Sequence, residues 1–235
     1  MKRGLFLAFA LLASFNLRGQ GTVHFASDNS TPIINSLTGQ PVSTSDGIKA
    51  ALYWAPAGSS NFTQIGAAVN VGVPLPGLFI GGTRKTGTAT PGGENARFQV
   101  RAWEASYGAS FEQAFTAAAQ NGRGALVGRS TILQMTTGNG NPPTPPAVLT
   151  AHGLQSFQVA PVSLPTIKTL GRSDLGCRFL IVGQANHQYI TEFSTNLLDW
   201  SVLQTNLLQQ APLEIIDPGA TNSPCRFYRT RAVEP

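Results

Sequence analysis

The amino-acid sequence predicts an all-β protein built from two β-sandwich-like modules, the first carrying one short amphipathic helix. Three observations support this fold class. The 25 Gly and 16 Pro residues are spread along the 235-residue chain. They separate short apolar runs about ten residues apart, which is the pattern of sandwiches and barrels. Several of these runs also alternate apolar and polar residues with the period of a strand.

Residues 1–20 have the layout of a secretory signal peptide, with a basic start, an apolar run from Leu5 to Leu12, and small and polar residues after it. The run is too short to span a bilayer. The other interpretation of this segment is a buried N-terminal helix. We expect cleavage at or shortly before Gln20, export to the periplasm, cell surface or extracellular space, and no transmembrane segment in the mature protein.

The charge of the mature protein is expected to be small. Cleavage would leave 13 Lys and Arg against 11 Asp and Glu, a net charge of +2. Nucleic-acid-binding proteins usually cluster basic residues on one face, whereas here they are scattered along the chain. We therefore expect no nucleic-acid partner.

Residues 21–160 are predicted to form the N-terminal module. Along Arg97–Trp103, Val100 and its apolar neighbours are expected to face the core, and Gln99 and Arg101 to face water. The predicted strands are Thr22–Ala26, Ile48–Trp54, Phe62–Val69, Leu78–Ile80, Arg97–Trp103, Ser130–Met135 and Leu154–Val159.

One helix is expected to interrupt the strands. Ser110 and Gln113 have the spacing of a capping box. An apolar stripe with helical spacing follows, formed by Phe111, Ala114, Phe115 and Ala118. The pattern predicts a short helix that lies on the sheet and ends near Asn121.

Residues 161–165 contain two prolines and are predicted to link the modules. The Pro-rich run 139–146 is either an exposed loop or a ligand for a partner that binds proline-rich peptides. We favour the loop, because strand-like sequence resumes at Leu154. Residues 166–235 are predicted to form a small sandwich resembling an immunoglobulin or fibronectin-III domain. Its predicted strands are Arg178–Val182, Tyr189–Ser194, Ser201–Gln204, Leu213–Ile216 and Arg226–Arg231.

The chain has two cysteines, Cys177 and Cys225, and both lie in the C-terminal module. In an exported protein they can form a disulfide. Such a bond would close a loop of about 50 residues and add about 4 kcal/mol to the free energy of unfolding. Two free buried thiols are the alternative.

The most patterned stretch of the chain runs from Tyr189 to Arg229. Within it lie the motifs Ser194-Thr195-Asn196-Leu197, Asp199-Trp200, Asp217-Pro218 and Arg226-Phe227-Tyr228-Arg229. With these features the stretch resembles a C-terminal module of uncharacterised exported proteins of Verrucomicrobiota-type bacteria. The runs GTVHF, QVRAWEASYGASFEQA and LQSFQV resemble the companion domain of those proteins. The resemblance implies an exported two-module β protein without an established activity.

No residue spacing in the sequence specifies a reaction. His24, His152 and His187 are far apart and lack partners at metal-ligand spacing. The common motifs of serine hydrolases, zinc proteases, nucleotide-binding sites and EF-hands are missing from the sequence. Glu104 and Glu112 could form the carboxylate pair of a glycoside hydrolase, but solvated or helix-terminal acids are the commoner interpretation. We expect no catalytic residue, no metal site and no cofactor.

Four aromatic residues are candidates for stacking on sugar rings. Trp54, Trp103 and Tyr107 are the candidate ligand-stacking residues of the N-terminal module, with core packing as the alternative. For Trp200, which follows a turn between apolar neighbours, we predict burial and a packing role.

The sequence favours an exported, non-catalytic binding or structural protein of the cell envelope or extracellular space. A carbohydrate-binding module or an accessory protein of a carbohydrate-active enzyme is the alternative. The expected partner is a polysaccharide or another envelope protein.

Overall fold

The computed structural model describes residues 19–184, 187–222 and 225–233. The chain is mostly β, with 51% of residues in strands and 9% in helices, so the predicted fold class is confirmed. Most of the predicted signal segment, residues 1–18, lies outside the described residues. The described part of the chain contains no helix that is both long enough and apolar enough to cross a membrane.

The N-terminal module is a sandwich of a small and a large sheet. The small sheet contains β1 (Thr22–Ala26), β6 (Ile80–Lys85) and β10 (Ala147–Val148), in the order β10-β1-β6. The large sheet contains β2 (Ile33–Asn35), β3 (Gln40–Pro41), β4 (Ile48–Pro56), β5 (Thr63–Asn70), β7 (Asn95–Glu104), β8 (Leu126–Arg129), β9 (Leu133–Thr136) and β11 (Phe157–Pro161). Its order is β3-β2-β11-β8-β7-β4-β5, and β9 pairs with β7. The Pro-rich run 139–146 lies in the connection from β9 to β10, inside this module as predicted.

The first core lies between these two sheets. Apolar residues of β4 and β7 alternate toward it, among them Leu52, Phe98 and Val100. From the small sheet side, Phe25 packs against Phe79 with ring centroids 4.8 Å apart. Burial of this shared surface is the main stabilising term for the module.

The opposite face of the large sheet is also buried, which corrects the prediction that Gln99 and Arg101 face water. Helix α1 (Phe111–Thr116) lies across this face and buries Phe111 and Phe115. The Arg101 side chain is only 9% exposed, and its guanidinium lies 4.2 Å from the centre of the Tyr53 ring. A polar strand face can be buried when each polar group finds a partner. Here Arg101 donates to the Gln99 side chain over 3.0 Å.

The helix begins at the predicted cap, because the Ser110 hydroxyl accepts a hydrogen bond from the Gln113 backbone N–H over 3.2 Å. The Gln113 side chain accepts from the Ala109 N–H over 2.9 Å, one residue earlier than a standard capping box. The helix ends at Thr116, earlier than predicted, and Ala118 is exposed. The 3-10 turns of the chain are Thr44–Asp46, Ala105–Tyr107, Thr150–His152 and Pro218–Asn222.

The C-terminal module consists of two three-stranded sheets. The first contains β12 (Thr166–Ser173), β13 (Gly176–Val182) and β16 (Leu213–Asp217), in the order β12-β13-β16. The second contains β14 (His187–Ser194), β15 (Ser201–Leu208) and β17 (Phe227–Ala232), in the order β15-β14-β17. Phe179, Ile181 and Ile215 form a small core, against which Leu203 and Tyr228 pack.

The two modules contact each other through a second apolar cluster. Tyr189, Leu208 and Ala232 of the C-terminal module belong to the same buried cluster as Phe115 and Val162. Among the described residues, every strand pairing lies within one module, and β11 and β12 are separated by residues 162–165. The modules are therefore joined by side-chain packing and not by a shared sheet.

Candidate functional site

The three candidate stacking residues of the N-terminal module are buried, so the stacking interpretation is corrected to the packing one. Trp54 donates from its indole N–H to the Thr90 hydroxyl over 3.2 Å. Trp103, which is fully buried, donates to the Gly108 carbonyl over 3.1 Å. The Tyr107 hydroxyl is bonded to two backbone carbonyls at 3.0 and 3.1 Å. Buried indoles and phenols need such partners, and no ring face is left open for a sugar.

Trp200 is half-buried, which corrects the prediction that it is mostly buried. The Arg229 guanidinium carbon lies 4.1 Å from the ring centre, a cation–π distance. The indole N–H donates to the Leu197 carbonyl over 3.2 Å. The neighbouring Leu197 and Leu198 point into solvent, so the apolar neighbours on which the prediction depended do not cover the ring.

The two carboxylates considered for glycoside hydrolysis are each bound to a different arginine. Glu104 accepts from both terminal nitrogens of Arg123, at 2.6 and 2.9 Å. Burial raises the pKa of the Glu104 carboxyl, but the hydrogen bonds and charge of Arg123 outweigh burial and lower it overall. Glu112 contacts Arg101 over 3.2 Å and accepts from the Tyr53 hydroxyl over 3.1 Å. A catalytic acid needs a raised pKa, and that of Glu104 is lowered. Each carboxylate also binds its own arginine, which favours a structural role for both.

The histidines remain apart. His24 lies on β1 and His187 begins β14, and the Nδ1 atom of His152 is 2.8 Å from the Val148 carbonyl oxygen. Within the described ranges, no group of three or more His, Cys, Asp and Glu side chains could bind a metal ion.

Cys177 and Cys225 are not joined by a disulfide, which corrects the predicted bond. Both line one cavity of about 200 Å³ together with Arg172, Arg226 and Tyr228. Cys177 lies on β13 opposite Asp217 and interacts with the Tyr228 hydroxyl, whereas Cys225 is exposed. The Cys177 thiol therefore faces the tyrosine.

Asp217, Arg226 and Tyr228 form one largely buried network beside this cavity. The Asp217 carboxylate accepts from Arg226 Nη1 and from the Tyr228 hydroxyl, each over 2.8 Å. It also accepts from the Gly219 N–H over 3.0 Å. Burial raises the pKa of Tyr228, and the hydrogen bond to Asp217 raises it further. The network ties β16 to β17, which belong to different sheets, so these features have a structural role.

The Ser194–Trp200 connection is a second structural feature of the same stretch. The Asn196 side-chain oxygen accepts from the backbone N–H groups of Leu198 and Asp199, each over 2.9 Å. The Ser194 hydroxyl accepts from the Leu197 N–H over 2.9 Å. Local side-chain bonds of this kind define a tight turn, which explains the amide and hydroxyl residues found here.

A cavity of about 580 Å³ lies between the two modules. We call it the intermodule cleft. One wall is the segment that follows helix α1, the floor includes the linker, and the other wall is β17. Its lining residues are Phe115, Thr116, Ala117, Ala118, Ala119, Leu164, Pro165, Arg229, Thr230, Arg231 and Ala232.

Two arginines dominate the charge of the intermodule cleft. Arg229 and Arg231 are alternate residues of β17, so their side chains leave the same face of the sheet. Glu192 of the central strand β14 lies beside them, and it contacts Arg229 Nε at 2.7 Å and Arg231 Nε at 3.5 Å. The Glu192 side chain is 8% exposed, whereas those of Arg229 and Arg231 are 49% and 44% exposed. The carboxylate is thus covered by the guanidiniums, which face solvent.

Sequence reasoning missed the cleft and both of its arginines. The period of a strand places Arg229 and Arg231 on one face, and this signal can be read from the sequence alone. The opposing wall, Ala117–Ala119, has no polar or aromatic side chain that would mark it. No protein-family model matches this chain, and no curated protein matches it either.

Proposed function

We propose that this protein is an exported, non-catalytic binding protein of the cell envelope or extracellular space, with its ligand site in the intermodule cleft. The observation that carries the proposal is the cleft itself, about 580 Å³ in volume and lined by both modules. That volume lies within the range of about 300 to 1,000 Å³ found for small-molecule sites. Export is supported by the layout of residues 1–20.

The lining of the cleft suits binding better than proton transfer. It consists of apolar residues, two threonines and two arginines. Arginine stays protonated at any working pH, and a threonine hydroxyl needs an adjacent base to react. A general acid or base must instead titrate near the working pH. Orientation of a bound ligand by the two guanidiniums is therefore the role that this lining supports.

A ligand-observed NMR screen of the mature protein would test the proposal. The library should contain small organic acids, neutral amphiphiles and oligosaccharides, because a polysaccharide fragment and an envelope component are both candidate ligands. The key variant is Ala118→Trp, which fills the cleft from an exposed position. The matched control is Ala211→Trp, a second exposed alanine outside the cleft lining.

We expect ligands that bind the wild type and the control but not the Ala118→Trp protein, and that remain chemically unchanged after long incubation. Ligands that bind the filled variant equally well would contradict the location of the site. Conversion of a bound ligand to product would contradict the non-catalytic role.

A further inference from the structure

The Arg229–Glu192–Arg231 group indicates the class of ligand. We propose that the intermodule cleft binds a small amphipathic monocarboxylate, with its carboxylate at Arg229 and Arg231 and its apolar body along Ala117–Ala119. This inference rests on the proposed function, because it names the ligand class of the same cleft.

The charge of the cleft matches one negative group. Two guanidiniums line it, and Glu192 neutralises one of their two positive charges. Among the residues that the structure describes, the lining contains no acidic side chain. A net charge of +1 complements a monoanion, whereas a phosphate dianion would leave uncompensated negative charge at a partly buried site.

The donors that remain are suited to a carboxylate. Glu192 contacts Nε of both arginines, and each guanidinium has five N–H donors in all. The amino groups of Arg229 and Arg231 can therefore donate to another acceptor. Side chains two residues apart on a strand are separated by about 6.8 Å along the chain. A planar carboxylate can accept bidentate hydrogen bonds from one of the two guanidiniums while the other supplies a second positive charge nearby.

Arg229 is held in place before any ligand arrives. Its guanidinium stacks on Trp200 at 4.1 Å and donates to Glu192 over 2.7 Å. A side chain fixed by two contacts loses little conformational freedom on binding, which favours affinity. Arg231 contacts Glu192 over a longer distance, 3.5 Å, so it is the easier of the two to change without disturbing the fold.

The opposing wall is suited to an apolar body. Ala117 and Leu164 are half-buried, and Ala118 and Ala119 are exposed with side chains no larger than a methyl group. Covering these residues with an alkyl chain removes apolar surface from water on both partners. A ligand with a charged head and an apolar body therefore satisfies both walls of the cleft.

Isothermal titration calorimetry and amide NMR of the full mature chain would test this inference, with octanoate as the probe. Octanamide is the matched neutral compound, and acetate has the carboxylate without the long alkyl chain. We expect octanoate to bind at least about tenfold more tightly than octanamide, because a charge-assisted hydrogen bond is worth about 1.4 kcal/mol or more. It should also bind at least about tenfold more tightly than acetate, because its longer alkyl chain removes more apolar surface from water. Amide shifts should centre on residues 117–119 and 229–232.

Two variants and one control complete the test. Arg231→Gln should weaken octanoate binding at least about tenfold. Ala118→Glu should weaken it similarly by like-charge repulsion. The control is Arg178→Gln. Arg178 has a side-chain exposure of 45% and pairs with Glu214, and both lie in the sheet that does not contain β17. Its change should therefore leave binding unaltered. The melting temperature of each variant shows whether the fold is intact.

The outcomes separate this inference from the proposed function. The proposed recognition of a carboxylate would be overturned if octanamide bound as tightly as octanoate. It would also be overturned if the Arg231→Gln protein bound octanoate as tightly as the wild type. If acetate bound as tightly as octanoate, the proposed contact between the alkyl chain of the ligand and Ala117–Ala119 would be overturned. Absence of octanoate binding would overturn the inference as a whole. In each case the proposed function is still judged by whether the Ala118→Trp protein loses the ligands found in the wider screen.

Discussion

The buried carboxylate of Asp217 offers a sharp test of the C-terminal module. The proposed change is Asp217→Asn, which keeps the shape of the side chain and removes its charge. In the native protein the Asp217 side chain is 2% exposed and accepts from Arg226, Tyr228 and Gly219 at 2.8, 2.8 and 3.0 Å. The asparagine amide would place donors where these donors already converge, so at least one bond is lost.

The expected cost follows from the burial of the pair. Arg226, whose side chain is 17% exposed, would retain a positive charge without its partner. Removing one member of a buried ion pair costs about 3 to 5 kcal/mol. For a domain of this size a change of 1 kcal/mol shifts the melting temperature by about 4 to 8 °C. The Asp217→Asn protein should therefore melt at least about 12 °C below the wild type.

Thermal and urea denaturation followed by circular dichroism would measure this difference. The matched control is Glu214→Gln on the same strand, where the carboxylate is 40% exposed and pairs with an Arg178 side chain that is 45% exposed. Exposed pairs contribute about 0 to 1 kcal/mol. If Asp217→Asn and Glu214→Gln lower the melting temperature by similar amounts, the network has no special role in stability and the reasoning is wrong.

Four further outcomes are expected. Glu104→Gln should destabilise the protein at pH 7, and thermal melts should show this destabilisation shrinking as the pH is lowered through the acid range. The folded pKa of Glu104 is below its usual 4.5, so the stabilisation by its carboxylate is fully present above that value and is lost as the pH falls through the folded pKa. Trp200→Ala should cost about 2 kcal/mol of unfolding free energy, roughly half the cost of emptying a fully buried aromatic site, and an unchanged melting temperature would contradict the packing role. A thiol titration without reductant should find two reactive cysteines, the exposed Cys225 before the half-buried Cys177. If neither cysteine reacted, the absence of a disulfide between them would be contradicted. Mass spectrometry of the protein from its native host should show an N-terminus near residue 20, whereas recovery of the intact signal segment in a soluble cytoplasmic fraction would oppose export.

Elements with a long alternating pattern could be predicted from the sequence. Strand β1 has the predicted bounds, and β4 and β7 extend only a few residues beyond theirs. Strands of two or three residues, such as β3 and β10, were missed because so short a run has no period to detect. Strand β12 was missed because it is exposed along almost its whole length, and exposure on both faces removes the alternation.

The candidate site was less predictable than the fold. The aromatic residues singled out as stacking candidates, Trp54, Trp103 and Tyr107, are buried. An aromatic side chain has the same sequence signature whether it packs in a core or lies on a surface. The exposed or buried state of a ring depends on what lies above it. Helix α1, for example, covers the sheet face that carries Trp103.

The β class and the helix cap at Ser110 could be predicted from the sequence alone, because each depends on local spacing and backbone geometry. Tertiary structure decided the rest. The burial of Arg101, the absence of a bond between Cys177 and Cys225, and the meeting of Ala117–Ala119 with the two arginines in one cleft all depend on which surfaces pack together. Packing depends on contacts between residues far apart in the chain, and a single sequence contains no local signal for such contacts.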